Sequence, residues 1–266
     1  MSDIIRVGTV LLGDGVPKIC TCVSGKNSEE LMHNYKSELY KGKNPEGYDM
    51  DLIEIRMDSF QEIKNHTAVI NVLRMCKDYS DAHPLLFTVR SEEEGGQASI
   101  SEDEYMKLLA EVAKSHVVDA IDVEVIRLGK RAKQIISVIK ECSIPVIASY
   151  HDMKGTADNL KLLEYMQNMA ESGADVIKIA VTPKNEQDVL RLYEVEYQYK
   201  KQERKPFITI AMGDVGKVTR ISGLFTGSCM TFGYIGRPSA TGQISAKVLA
   251  QLRKDLTEER NNGKKV

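Results

Sequence analysis

Short apolar runs rich in valine and isoleucine recur along the chain, and each is followed by a longer stretch with helical periodicity. Runs of this length are typical of buried strands, and the stretches between them are typical of amphipathic helices. Candidate caps mark helix limits, such as Ser101 before residues 102–114 and Gly173 after residues 157–172. The apolar runs are Ile19–Val23, Leu52–Met57, Leu85–Val89, Val117–Val125, Pro145–Ser149, Ala174–Val181, Phe207–Ala211 and Ser228–Phe232. The pattern predicts eight strand-then-helix units.

Eight such units in 266 residues predict an α/β fold, a single (β/α)8 TIM barrel with short connections. Length alone also permits two domains of about 150 residues each. No proline-rich or Ser/Gly-rich linker divides the chain, so we expect one domain over residues 1–266. Residues 1–15 lie outside the repeat and predict an N-terminal β-hairpin that closes the bottom of the barrel. The tail, residues 258–266, is expected to fray.

Composition and charge narrow the class of partner. The chain is 42% hydrophobic and 28% charged, which is typical of a globular protein. It has 36 Lys and Arg against 38 Asp and Glu, without the concentrated basic surface that binds nucleic acid. No apolar run reaches the ~18 residues of a membrane span or resembles a signal peptide. The five cysteines contain no C-x-x-C pair and indicate a reduced, cytoplasmic protein. We expect a small-molecule partner.

The strand around residues 52–58 has one entirely ionic face, formed by Glu54, Arg56 and Asp58. A half-exposed antiparallel strand with a solvated face explains this pattern as well as a barrel strand does. In a closed barrel, however, neither side of a strand meets bulk water, and an unpaired charge there costs several kcal/mol. These charges must therefore pair with each other or bind a ligand.

Other predicted strands carry ionisable side chains by the same alternation, mostly toward their C-terminal ends. These residues are Arg90, Asp122, Glu124, His151 and Lys178. The active sites of (β/α)8 enzymes lie at that end of the barrel. We therefore expect the charges to converge on one mouth.

Lys178 lies between two isoleucines in a β-run, so it is not expected on the surface. Burial disfavours the ammonium form, and a free amine can attack a carbonyl group. An interpretation of equal weight is that Lys178 neutralises Asp122 or Glu124 across the barrel. His151 follows the fifth strand directly and suits general acid and base chemistry. A capping or loop role is the alternative, but the expected proximity of Lys178 on the next strand favours catalysis.

Several short segments stand in a specific order along the chain. They are Glu54-Ile55-Arg56-Met57-Asp58, Arg90-Ser91-Glu92-Glu93-Glu94-Gly95-Gly96, Ser149-Tyr150-His151-Asp152, Asp175-Val176-Ile177-Lys178, Arg220 before Ile221-Ser222-Gly223, Gly227-Ser228 with Thr231-Phe232-Gly233, and Ser239-Ala240-Thr241-Gly242-Gln243. Each segment is weak on its own. In this order and spacing they resemble type I 3-dehydroquinate dehydratase, the Schiff-base enzyme of the shikimate pathway, across nearly the whole chain.

The resemblance implies dehydration of 3-dehydroquinate to 3-dehydroshikimate in aromatic amino acid biosynthesis. Lys178 would form an imine with the C3 ketone. His151 would help to form and break this imine, remove a C2 proton and then protonate the departing C1 hydroxyl. Glu94 would orient the histidine. The substrate-binding positions that it implies are Glu54, Arg56, Arg90, Arg220, Ser239, Gln243, Met212 and Cys22. It implies no cofactor and no metal, and it favours a homodimer.

Some of these positions suggest how the substrate is held. Arg220 suits the substrate carboxylate, because a guanidinium can donate hydrogen bonds to both carboxylate oxygens. The segment Gly233–Gly242 has loop composition and would form a lid. Two residues depart from the family: Thr241 stands at a usual proline, which would loosen the lid, and Cys22 stands where serine is often found, which removes a good hydroxyl donor.

Three alternative functions remain open. An aldolase-type lysine-imine barrel would share Lys178 but usually needs a phosphate site near the last two strands; Gly213–Thr219 lacks the spacing of a P-loop. A metal-dependent barrel would use Glu54, Asp58, Glu124 and His151, although no H-x-H or H-E-x-x-H pair exists. The third alternative is a barrel that binds the ligand without turnover, against which the presence of both Lys178 and His151 argues.

Overall fold

Eight parallel strands surround a common axis in the computed structural model, which describes residues 3–45, 47–79, 83–202, 205–238 and 241–263. The barrel strands are β1 Lys18–Ser24, β2 Leu52–Arg56, β3 Leu85–Thr88, β4 Ala120–Glu124, β5 Val146–Asp152, β6 Val176–Val181, β7 Phe207–Ala211 and β8 Met230–Tyr234. The helices that follow them are α1 Ser28–Gly42, α2 His66–Tyr79, α3 Glu102–Ser115, α4 Ala132–Glu141, α5 Asn159–Glu171, α6 Glu186–Gln202, α7 Gly223–Thr226 and α8 Ala246–Gly263. Each predicted apolar run contains or overlaps one barrel strand.

Shorter elements fill the connections between the barrel units. Helical turns lie at Glu92–Glu94, Val125–Leu128, Gly129–Arg131 and Lys217–Arg220. Lys43–Asn44 pairs antiparallel with Gly47–Tyr48, and Ile244–Ser245 runs parallel to the end of β8. Among the described helices, none is both long and apolar enough to cross a bilayer.

The barrel closes between its seventh and eighth strands. The parallel pairing runs in the order β7-β6-β5-β4-β3-β2-β1-β8, and the backbone N–H of Cys229 donates to the carbonyl of Phe207 at 2.8 Å. The predicted (β/α)8 barrel is therefore confirmed. Two strand limits differ from the prediction by three residues. β4 begins at Ala120 because His116, in the left-handed conformation, turns the chain at the end of α3. β5 continues to Asp152 because His151 pairs with Ala180 of β6.

An N-terminal hairpin covers the end of the barrel opposite the ionic residues. Ile5–Val7 pairs antiparallel with Val10–Leu12, and Val7 and Leu12 are fully buried against the apolar interior of the barrel. Gly8 has φ +53°, and a Cβ atom there would lie 2.8 Å from Pro84, so the hairpin approaches the start of β3 closely. The predicted closing hairpin is confirmed. At the other terminus, α8 runs to Gly263. The last part of the tail that we expected to fray, residues 264–266, lies outside the described residues.

Glu196 of α6 is a buried carboxyl group that should make stability depend on pH. Its side chain is 2% exposed and accepts a hydrogen bond from the Thr209 hydroxyl of β7. Burial raises the pKa of Glu196 to about 7, whereas an unfolded glutamate titrates near ~4.3. The folded state therefore binds this proton more tightly, and the free energy of unfolding falls as pH rises between these two values.

We expect Glu196→Gln to raise the Tm at pH 8 by about 2–6 °C. The amide keeps the size of the side chain and removes the charge that burial disfavours. Near pH 4, where the carboxyl of Glu196 is protonated in the folded protein, the two proteins should melt within about a degree of each other. Calorimetry at both pH values checks this, and a lower Tm of the variant at pH 8 would contradict it.

Candidate active site

A cavity of roughly 490 Å³ opens at the C-terminal ends of the barrel strands. The predicted site residues that line it are Cys22, Glu54, Arg56, Arg90, Glu94, His151, Lys178, Met212, Arg220 and Gln243. Ser239 lies outside the described residues. The apolar interior lies below this ionic layer and ends with residues such as Ile147 and Val176. The alternation along the strands thus places the predicted charges in one mouth.

Lys178 lies at the floor of this cavity, on β6, with its side chain 4% exposed. Its Nζ is 3.5 Å from Asp122 Oδ2 and 3.6 Å from Glu54 Oε1. The same ammonium group lies 4.3 Å from the ring centroid of Phe232, within cation–π range. The amine therefore faces the cavity and also pairs with carboxylates, of which Asp122 was predicted and Glu54 was not. A buried ion pair does not by itself distinguish a structural from a catalytic lysine.

His151 lies on β5, on the strand next to Lys178. Its Nδ1 is 2.9 Å from Glu94 Oε2, and its backbone N–H donates to the same oxygen at 3.0 Å. Burial lowers the pKa of His151 well below its usual value, and the positive charges of Arg90 and Lys178 act in the same direction. The imidazole is therefore neutral at neutral pH, and Glu94 fixes its orientation while Nε2 remains as the second ring nitrogen.

A tight turn after β3 holds Glu94 beside the histidine. Ser91 caps the helical turn by accepting the backbone N–H of Glu94 at 3.3 Å, and Gly95 ends the turn with φ +83°. A Cβ atom on Gly96 would lie 2.1 Å from the Arg90 carbonyl, so only glycine fits this approach. Burial raises the pKa of the Glu94 carboxyl to about 8, against the opposing effect of the Arg90 guanidinium.

Arg90 joins three buried carboxylates. Its NH1 donates to Glu124 Oε1 at 2.9 Å and to Glu94 Oε2 at 3.2 Å. Its NH2 donates to Asp122 Oδ1 at 2.8 Å, and Ser149 adds its hydroxyl to the same network. The Arg90 side chain is only 3% exposed. Arg90 lines the cavity as predicted, but these contacts make it a positioning residue for the carboxylates.

The strand β2 presents the other ionic contacts. Asp58 forms a two-pronged pair with Arg56, at 2.7 Å to Nε and 3.0 Å to NH2. Glu54 accepts from the Thr88 hydroxyl at 2.9 Å and from the Cys22 thiol at 2.8 Å. Burial opposes ionisation of Glu54, but Lys178 and Arg56 together hold the pKa of Glu54 below its usual value. Cys22, which stands where the family often has serine, thus donates a hydrogen bond to Glu54 through its thiol, although a thiol is a weak donor.

Arg220 differs from the other cations of the site. It ends the helical turn Lys217–Arg220, is buried, and donates through NH1 to the carbonyl of Phe232 at 3.1 Å. Among the side chains that the structure describes, no carboxylate forms an ion pair with Arg220, and its Nε has no hydrogen-bond acceptor. Burial lowers the pKa of Arg220. A buried guanidinium without a counter-charge is unfavourable, so this corner of the cavity suits an anion.

The predicted lid begins later than the composition suggested, because Gly233 and Tyr234 belong to β8. Its last two residues, Thr241 and Gly242, contact the loop after β7. The carbonyl of Thr241 accepts from the backbone N–H of Gly213 at 3.3 Å. Gly242 has φ +74°, and a Cβ atom there would lie 2.1 Å from the Gly213 carbonyl. Thr241 and Gln243 consequently border the cavity.

The residues of the metal-dependent alternative have other partners. Asp58 pairs with Arg56, and Glu124 pairs with Arg90, as described above. Glu54 lies between the Thr88 hydroxyl, the Cys22 thiol and the Lys178 ammonium. Across the described ranges, no group of three or more metal-ligating side chains is close enough to hold an ion.

Comparison with known proteins finds similarity over most of the chain. The family model for Type I 3-dehydroquinase matches residues 19–259. The 3-dehydroquinate dehydratase of Clostridium novyi is 36% identical over 249 residues, which are 93% of this chain and 96% of that protein. The one from Clostridioides difficile is 36% identical over 246 residues, 92% of this chain and 94% of that protein. The crystal structure of the Clostridium difficile type I enzyme with covalently modified comenic acid is similar with a TM-score of 0.90 at 35% identity, covering 97% of this chain and 100% of that one.

Proposed function

The chain belongs to the type I 3-dehydroquinase family, and on that premise we propose that it dehydrates 3-dehydroquinate to 3-dehydroshikimate through an imine on Lys178. Its curated relatives are 3-dehydroquinate dehydratases, which are hydro-lyases. The observation that carries the proposal is the placement of a buried amine and a histidine–carboxylate pair on adjacent strands of one cavity. The reaction would serve the shikimate pathway and aromatic amino acid biosynthesis.

The lysine supplies an electron sink. Attack of the Lys178 amine on the C3 ketone, with loss of water, gives a protonated imine, which withdraws electrons from C2 more strongly than the ketone does. His151, held at Nδ1 by Glu94, accepts the C2 proton at Nε2 and leaves an enamine. The enamine expels the C1 hydroxyl, which takes the proton back from His151 and leaves as water. Hydrolysis of the imine then releases 3-dehydroshikimate and the free lysine.

Charged side chains of the cavity would bind and orient the substrate. Arg220, without an acidic partner in the described part of the chain, would bind the substrate carboxylate through both oxygens. Glu54 and Arg56 would contact the ring hydroxyls. Gln243 and Ser239 would reach the substrate from the lid, with Met212 as an apolar wall. Arg90 would act mainly by holding Glu94 and Asp122 in place.

Turnover of 3-dehydroquinate tests this function. We expect the purified protein to form the conjugated enone of 3-dehydroshikimate, seen as a rise in ultraviolet absorbance, and to do so equally well after treatment with a chelator. Activity that is lost with the chelator and restored by a divalent metal would favour the metal-dependent alternative. Carbon–carbon cleavage of a sugar phosphate without dehydration would favour the aldolase alternative. Binding without turnover would favour the third.

Gly242→Ala should weaken substrate binding without loss of the fold. The new methyl group would meet the Gly213 carbonyl at 2.1 Å and would strain a backbone with φ +74°. The lid then moves off this docking position, and we expect KM to rise by about 10-fold, with the Tm within a few degrees of wild type. Steady-state kinetics and thermal melting check this. Gly236→Ala is the matched control, because it adds a methyl group at a similar φ of +82° in the same segment, where the nearest atom to the new Cβ would be Lys41 Nζ at 3.9 Å. An unchanged KM for Gly242→Ala would contradict a role for this contact.

We further propose that residues 1–266 form one domain that works as a cytoplasmic homodimer. The five cysteines are all unpaired, which agrees with a reduced compartment. Light scattering coupled to size exclusion measures the mass in solution, and a strictly monomeric active enzyme would contradict the dimer.

A further inference from the structure

The ring of Phe232 lies against the reactive amine, and the mechanism above gives this ring no part. Phe232 belongs to β8, lines the substrate cavity and is 5% exposed. Its ring centroid is 4.3 Å from Lys178 Nζ. The strands β6 and β8 lie on either side of β7, so the ring reaches the amine across one strand.

Buried neighbours fix the position of this ring. Ile210 of β7 and Ala180 of β6 belong to the same buried apolar cluster as Phe232. The backbone carbonyl of Phe232 accepts a hydrogen bond from Arg220 NH1 at 3.1 Å. The strand, the apolar cluster and the guanidinium therefore hold the residue together. We expect the ring to keep its place when a substrate carbon is bonded to the amine.

The two carboxylates near the amine have closer partners of their own. Asp122 accepts from Ser149 Oγ at 2.6 Å and from Arg90 NH2 at 2.8 Å. Glu54 accepts from a thiol and a hydroxyl at 2.8 and 2.9 Å. Their distances to Lys178 Nζ, 3.5 and 3.6 Å, exceed the roughly 2.7–2.9 Å of a charge-assisted hydrogen bond. Neither carboxylate is thus a close hydrogen-bond partner of the amine.

Imine formation changes which contacts of the nitrogen can persist. A lysine ammonium carries three N–H bonds. Its condensation with a ketone forms the C=N bond, and two of its protons leave with the ketone oxygen as water. The protonated imine keeps the positive charge but retains a single N–H bond, so fewer hydrogen bonds can compensate the charge. The face of an aromatic ring attracts a cation through its quadrupole and needs no N–H bond.

We propose that Phe232 is a catalytic residue whose ring keeps the imine on Lys178 protonated. This inference rests on the proposed function. The positive charge on the imine nitrogen draws electrons from C2, and a neutral imine would be a weaker electron sink. Because the ring stabilises the cation and not the neutral imine, weakening the ring should let the imine lose its proton at lower pH.

The other titratable groups around the amine leave this effect visible. Burial opposes ionisation of Glu54 and Asp122, but nearby cations hold the pKa of both carboxyls below their usual values. Burial raises the pKa of the Cys20 thiol of β1 and lowers the pKa of His151, both by a wide margin. These four groups, like the arginines of the site, keep one charge state between about pH 6 and pH 10. Glu94, with a pKa of about 8, titrates in this range, but its carboxyl contacts the imidazole.

Fluorinated phenylalanines at position 232 test the ring while nearly keeping its shape. Fluorine weakens the attraction of the ring face for a cation, increasingly from 4-fluoro- to 3,5-difluoro- to 3,4,5-trifluorophenylalanine. The readout is the rate at which cyanoborohydride, which reduces a protonated imine, labels Lys178 at saturating 3-dehydroquinate. We expect the midpoint of the fall in labelling with rising pH to move down with each fluorine, by about one pH unit in the trifluoro protein. Near pH 6 the labelling rates should agree within about two-fold.

The same three analogues at Phe87 are the matched control. Phe87 of β3 is fully buried in the apolar cluster that the strands form with the helices, so the midpoint there should equal that of wild type. A constant midpoint across the series at 232, an equal shift in the Phe87 series, or a fall by the same factor at every pH would overturn the role of the ring and leave the proposed function intact.

Phe232→Leu, which removes the ring but remains apolar, replaces any fluorinated protein that fails to fold. Its midpoint should lie at least ~1 pH unit below that of wild type, and an unchanged midpoint would overturn the role of the ring. Failure of the wild-type protein to be labelled at any pH would instead overturn the proposed function.

Discussion

Lys178→Met is expected to lower kcat by at least ~10⁴-fold, the scale on which loss of a catalytic nucleophile acts. Methionine fills the space of the lysine stem but offers no amine, so the imine and its electron sink are lost. The substitution also leaves Asp122 and Glu54 without their ammonium partner, 3.5 and 3.6 Å away. A loss of activity in Lys178→Met alone could therefore come either from the missing amine or from the two unpaired carboxylates.

Lys178→Arg separates the two effects. A guanidinium retains the positive charge beside the two carboxylates, but it stays protonated and does not attack a ketone. If Lys178 serves only to neutralise Asp122 and Glu54, the arginine variant should keep most of the activity. If Lys178 forms the imine, we expect the arginine variant to be as inactive as the methionine variant while it melts closer to wild type.

Trapping identifies the atom that reacts. We expect 3-dehydroquinate with borohydride to add the mass of the reduced substrate to a single peptide containing Lys178, and to add nothing to the arginine variant. Mass spectrometry of the intact protein and of its peptides measures this. An active enzyme with an unmodified Lys178 would refute the imine mechanism.

The sequence predicted the barrel well because every barrel strand is buried on both sides. Such strands are short apolar runs, and any polar residue in them must be paired or functional. The alternation in residues 52–58 therefore located Glu54, Arg56 and Asp58 at the mouth correctly. It failed at the end of β5, because the extra pairing of His151 with Ala180 depends on the stagger of β6 and not on composition.

The partners of each charge were less predictable. Arg90 pairs with Glu94 of its own loop and with Asp122 and Glu124 of β4. These residues are distant in sequence, and only the closed barrel brings them together. Thr88, Ser149 and Phe232 were not predicted as site residues, although strand alternation puts Thr88 on the face of Arg90 and Ser149 on the face of His151. Phe232 lies in an apolar run, and nothing in its pattern indicated a ring 4.3 Å from the Lys178 ammonium.

His151→Ala should slow turnover by about 10²–10⁴-fold, the range of general acid–base catalysis, yet leave the Lys178 amine able to react. Borohydride trapping should therefore still label Lys178, more slowly than in wild type. This outcome places the essential step of the histidine after imine formation, whereas loss of both turnover and labelling in a variant with an unchanged Tm would show that imine formation itself needs His151. Turnover close to that of wild type would assign the proton transfer to another residue.

Glu94→Gln tests how the carboxylate acts on the ring. The amide oxygen can still accept the backbone N–H of His151, but the negative charge next to Nδ1 is gone. In wild type, ionisation of Glu94 near its pKa of about 8 makes His151 a stronger base, so kcat/KM should rise as pH passes through this value. In the glutamine variant no negative charge can develop beside the imidazole, so His151 remains the weaker base. We therefore expect kcat to fall by about 10–100-fold and the rise near pH 8 to disappear. A pH profile of kcat/KM measures both effects. A variant that retained the rise would show that a different group titrates there, and the orienting role would then rest on the hydrogen bond alone.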